Sequence, residues 1–215
     1  MSTDRAARAT GPVPTSTPTA GQKVVRHSVT AKQTALDLGG PTVTTWAYDG
    51  ALPGPLLRAS AGDMLEVTLR NQLPAETTVH WHGIRLANHA DGVPGLTQEP
   101  VTPGDTYAYR FTAPDPGTYF FHPHVGVQLD RGLYAPLIID DPNEPGDYDA
   151  EWVVVLDDWI DGTGTDPDQV LAKLTAAGST GGMGMGPMGG MDHGSMGAMG
   201  TGQAPWGDAG DVTYP

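Results

Sequence analysis

Between Asp63 and Arg70 the side chains alternate. Leu65, Val67 and Leu69 fall on one face, and Glu66, Thr68 and Arg70 on the other, as in a half-buried β-strand. Tyr107, Tyr109 and Phe111 repeat the alternation, and runs at 24–29, 43–48, 117–122, 133–139 and 151–157 predict further strands. Turn signals separate them: Pro53-Gly54-Pro55, Ala61-Gly62-Asp63, Pro103-Gly104-Asp105 and Pro116-Gly117. Many short strands punctuated in this way predict an all-β domain, a β-sandwich or Greek-key barrel, from residue 23 to about 158.

One helix interrupts the pattern. Asp166 suits the cap and Pro167 the first helical position, Val170, Leu171 and Leu174 make an apolar stripe, and Gly178 offers an end. Residues 182–200 are then almost only Gly and Met, a low-complexity stretch expected to be disordered. Residues 1–22 are Thr/Pro/Ala-rich, and Arg5 and Arg8 are followed by no apolar core. They read as a disordered lead-in, with no signal peptide visible. The final β-like run, Asp211 to Pro215, reads as cut short.

Composition narrows the function. A net charge of -14 repels phosphate backbones and argues against nucleic-acid binding. No apolar run approaches membrane-spanning length. The 30 glycines and 20 prolines suit strands joined by turns. The absence of cysteine excludes disulfides, thiolate zinc sites and blue-copper sites of the His-Cys type.

Two His-X-His pairs, His80-Trp81-His82 and His122-Pro123-His124, carry the candidate chemistry. Residues two apart on a strand share a face, with β-carbons about 6.5–7 Å apart. Two imidazoles so placed can clamp one metal or serve two metals of a paired site. Trp81 then points to the opposite face, and Pro123, with no N–H, marks an edge or strand end. Spacing alone leaves open copper or zinc, and a closed four-histidine site or part of a larger cluster; a lone His-X-His is often only surface histidine. If metals are shared, the four imidazoles must converge on one patch at a sheet end.

His80-Trp81-His82-Gly83 resembles the first copper motif of the multicopper oxidases, and the stretch from Gly117 to His124, GTYFFHPH, resembles the second. The flanks agree: Tyr48 to Pro55, Asp91-Gly92-Val93-Pro94, Pro103-Gly104-Asp105, and Gly132 to Leu137. The resemblance covers about residues 23–160. It implies a cupredoxin-like sandwich at 23–148 and the start of a second cupredoxin domain at 149–215, carrying the Gly/Met-rich insertion at 181–200. It makes His80 a type 2 copper ligand, and His82, His122 and His124 ligands of the type 3 pair. Asp91 matches an acidic residue that orients water and helps deliver protons, although an Asp-Gly turn accounts for it equally well. His27 and His89 match no ligand position and are expected at the surface.

The family's third and fourth motifs are absent from the sequence, and with them the type 1 copper. The expected partners are therefore the missing downstream cupredoxin domains, or another chain, to complete the copper cluster. The whole enzyme would couple one-electron oxidation of phenols, aromatic amines or metal ions to reduction of O₂ to water. The alternative is a non-enzymatic copper-binding cupredoxin module, or a metal-free structural domain. The six methionines from Met183 to Met199, with His193, are a candidate soft Cu(I) site or a plain linker. Family resemblance implies export to the cell envelope or outside.

Overall fold

The computed structural model describes residues 17–180. Most of the expected lead-in, the Gly/Met-rich segment and the terminal run lie outside the described residues. The tail of that lead-in forms a turn, with Gln22 N–H donating to Thr19 O. The Gln22 side chain pins it by donating to Gly62 O and Thr112 Oγ1, both at 2.9 Å.

Among the described residues, eight strands make two four-stranded sheets. They are β1 (Val24–Asp37), β2 (Thr42–Tyr48), β3 (Leu57–Ser60), β4 (Met64–Gln72), β5 (His80–His82), β6 (Thr106–Thr112), β7 (Gly117–His122) and β8 (Ala135–Asp140). The first sheet has the order β2-β1-β4-β6 and the second β3-β8-β7-β5. β1 pairs in parallel with β4, and β3 with β8; the other neighbours are antiparallel. The alternating positions predicted for β4 face the core: Leu65, Val67 and Leu69 are fully buried. Trp81, Tyr109, Phe111, Phe121 and Leu137 fill the space between the sheets. Their rings interlock, Trp81 lying 4.9 Å from Phe111 and 5.3 Å from Phe121 between centroids.

The run at 151–157 is not a regular strand. It has no regular secondary structure, and Val154 and Leu156 are 70% and 90% exposed. Its apolar residues are continuous, so as a strand it would need cover on both faces, and no described strand pairs with it. Its residues 153–157 line a cleft together with Thr118 and Phe120 of β7 and Pro136 of β8. Arg58 ties down its start, bonding Asp140 of β8 and Glu151 together.

The helix α1 (Pro167–Thr180) starts as expected, with Gln169 N–H donating to Asp166 Oδ1 at 3.0 Å. It passes Gly178 instead of ending there. Its apolar stripe faces solvent, Leu171 being 48% exposed and Leu174 38%. A polar clasp docks the start of the helix. Arg131 bonds Asp161 at 3.1 Å and also reaches Asp166 and Asp168, while Asp161 accepts from Thr45 Oγ1 at 2.6 Å.

Candidate metal centre

β5 is an edge strand of three residues, and pairing with β7 fixes its register: His80 lies opposite His122, Trp81 opposite Phe121 and His82 opposite Phe120. The alternation therefore sends Trp81 and Phe121 into the core and both flanking histidines to the other face. β5 is also tethered to the opposite sheet, where Tyr109 Oη accepts the Val79 N–H at 2.8 Å. β7 stops at His122 because Pro123 has no N–H to continue the ladder. His124, just beyond, is held by its own N–H donating to Thr78 Oγ1 at 3.2 Å.

All four histidines come together in one patch. Ring centroids are 5.8 Å apart for His80 and His82, 5.5 Å for His80 and His122, and 4.1 Å for His80 and His124. His122 lies 5.4 Å from His82 and 5.1 Å from His124. His80, His82 and His122 each offer a nitrogen within 4.8 Å of the others. His82 Nδ1 and His122 Nε2 are 3.2 Å apart. Two nitrogens sharing one metal at roughly 2.0–2.1 Å in near-tetrahedral geometry would sit about 3.3 Å apart, so this pair fits a common ion.

Hydrogen bonds select which nitrogens face inward. His80 Nδ1 lies 2.8 Å from Asp91 O and 3.3 Å from Asp91 Oδ1. His122 Nδ1 lies 2.9 Å from Pro123 O. In each ring a carbonyl oxygen can only accept, so Nδ1 carries the proton and the Nε2 lone pair is left for a metal. Burial pushes the His122 imidazole down to about 4; the Pro123 hydrogen bond opposes this, and neighbouring histidines add to it. His124 is also lowered, by burial first and then by His80. Both rings are neutral near pH 7, the form that ligates metals.

Asp91 reaches His80 because Gly92 comes unusually close to β5. Gly92 has φ +76°, and a β-carbon there would lie 1.8 Å from Val79 O. The residue is therefore glycine on two counts, backbone conformation and space. The sequence offered Asp91 as a proton-handling acid or as part of an Asp-Gly turn, but not the close approach of Gly92, which is tertiary and leaves no local pattern. Phe120 was also missed as a site residue. Its ring stacks on His82 at 4.5 Å and on His122 at 5.1 Å. His27 and His89, expected at the surface, are half-buried, and the Nε2 of each is buried without a hydrogen-bond partner among the described residues. Neither belongs to the cluster.

Residues 29–144, just over half of the chain, match the multicopper oxidase family. The chain belongs to that family. The multicopper oxidase MmcO of Mycobacterium tuberculosis is 45% identical over 193 residues, which is 90% of this chain and 37% of that protein. Copper resistance protein A of Escherichia coli is 41% identical over 151 residues, 69% of this chain and 24% of that protein. Among solved structures, a multi-copper oxidase from Pseudomonas thermotolerans superposes with a TM-score of 0.56 at 38% identity, covering 58% of this chain and 31% of that one. The chain thus spans well under half the length of these relatives. Membership accounts for the cupredoxin-like sandwich and implies copper. Among the described residues, no helix is long and apolar enough to cross a membrane.

Proposed function

We propose that this chain is the first copper-binding part of a multicopper oxidase, with residues 23–148 as its first cupredoxin domain and residues 149–215 opening a second. The supporting observation is the convergence of two His-X-His pairs across one strand pairing, with His82 Nδ1 and His122 Nε2 3.2 Å apart. In this reading His80 holds the type 2 copper, and His82, His122 and His124 hold the type 3 pair. Bound copper supplies the one-electron redox chemistry that joins oxidation of a phenol, aromatic amine or metal ion to reduction of O₂ to water. The domains or chain carrying the third and fourth motifs complete the cluster and add the type 1 site.

The protein's own residues contribute geometry and protons. The Asp91 carbonyl fixes the His80 tautomer, so its Nε2 is available without rearrangement. The Asp91 carboxylate, 3.3 Å from His80 and part-exposed, can hold a proton at Oδ1 beside the cluster and exchange it with solvent. Trp81 behind the histidines and Phe120 beside them keep the patch dry on its core side. Export to the cell envelope or beyond belongs to the same reading and rests on kinship alone.

Oxygen consumption with a phenolic substrate tests this, measured beside copper content. The 215-residue chain should bind Cu(II) without intense absorption near 600 nm, roughly where copper–thiolate sites absorb, and should not turn over. A longer protein carrying the remaining motifs should turn over, lose activity and type 3 copper in His124→Ala, and slow at unchanged copper content in Asp91→Asn. Full activity of His124→Ala in that protein would reject the ligand assignment.

A further inference from the structure

The four histidines are not held alike. His80 and His122 each have Nδ1 fixed by a carbonyl, and His124 is anchored through its own backbone N–H. His82 is exposed, and among the described residues no hydrogen bond reaches its Nε2; its Nδ1 meets only His122. Rotation of an imidazole about χ2 is soft, with broad wells, and a metal seated between the two nitrogens would replace the His82–His122 hydrogen bond, so a further contact is needed to hold the plane of this ring.

A stacked ring offers that contact. Phe120 is the cross-strand partner of His82. Its ring lies nearly parallel to the imidazole, at 23° and 4.5 Å. Being two residues before His122 on the same strand face, it also stacks on His122, at 20° and 5.1 Å. One aromatic ring therefore contacts both members of the pair whose nitrogens face each other at 3.2 Å. We propose that Phe120 is a positioning residue: its flat face sets the orientation of His82, so that His82 Nδ1 and His122 Nε2 are aimed at one metal before the metal arrives. The proposal rests on the metal-centre reading given above. A ligand already oriented loses less torsional freedom when it binds. Leucine at this position would fill much of the volume without offering a flat face, and His82 could then turn Nδ1 away from His122.

A double-mutant cycle on the 215-residue chain, titrated with Cu(II) alone and read by calorimetry and electron paramagnetic resonance, tests this. Phe120→Leu should weaken Cu(II) binding about tenfold, the lower end of what supporting residues around metal ligands contribute, and should alter the copper hyperfine pattern. Phe120→Trp, which restores a flat ring, should return both towards wild type. In a His82→Ala background, Phe120→Leu should have no further effect on copper. An equal loss with and without His82, an unchanged affinity in Phe120→Leu, or failure of Phe120→Trp to rescue a chain that unfolds like wild type would overturn the positioning role. Unchanged Cu(II) binding in both His82→Ala and His122→Ala would reject the metal centre itself, and the proposal with it.

Discussion

Gly92 shows how much of the site hangs on one missing side chain. Its left-handed backbone and its contact with Val79 bring the Asp91 carbonyl to His80 Nδ1. Gly92→Ala must push the loop off β5, because the obstacle is backbone and cannot swing aside. The expected outcome is a loss of about 1–3 kcal/mol of stability, typical of strain at a special φ/ψ, with weakened copper binding through His80. Urea unfolding and Cu(II) titration of the same variant would show the two effects together. His122 gives a second prediction. Folding lowers its pKa from the ordinary 6.5 to about 4, so between those values the unfolded chain binds more protons. Stability of the metal-free protein is therefore fully present above about pH 6.5 and declines as pH falls towards 4; the lowered His124 acts in the same direction. The urea midpoint should drop between pH 7.5 and 5, and His122→Asn should flatten that drop.

At the scale of elements, β5 serves core and site at once. Trp81 is fully buried against Tyr109, Phe111 and Phe121, while its two neighbours turn outward to the histidine patch. Trp81→Ala should cost about 3–5 kcal/mol, as for other large buried aromatics, and should also scatter the histidines. Denaturant unfolding of the metal-free chain measures the first, and copper titration under native conditions the second. This arrangement was legible in the sequence because His-Trp-His on a strand permits only one division of faces. The strands β4 and β6 were legible for the same reason, through Leu65, Val67, Leu69, Tyr109 and Phe111. The segment at 151–157 was not. Periodicity reports which face is buried, and an unbroken apolar run reports only that cover is wanted, which the described strands do not supply. The stacking of Phe120 and the approach of Gly92 were illegible because each depends on a partner distant in sequence.

Over the whole molecule, the two sheets account for the core, and a polar clasp holds the start of α1 and the turn before it against them. Arg131, beside the turn into β8, joins Asp161, Asp166 and Asp168, and its guanidinium lies 5.2 Å from the centre of the Trp46 ring. Asp161 is only 3% exposed and also receives the Thr45 hydroxyl. Arg131→Met should leave that buried carboxylate without its cation, and such a broken pair costs about 3–5 kcal/mol. Opening should be local, so limited proteolysis should cut the 159–168 stretch sooner while the sandwich stays intact. A cut pattern unchanged from wild type would show that the clasp is dispensable.

If these histidines load copper as proposed, the pairing of His80 with His122 makes that loading a proofreading step for folding. A strand slipped by one residue would turn Trp81 to solvent and bury both of its histidines, reversing every side chain in β5. Such a chain could still be compact, yet it would have no patch of inward-facing nitrogens to offer. Metal would collect on correctly registered chains and leave the slipped ones empty, so a metallated population would be enriched in the native pairing.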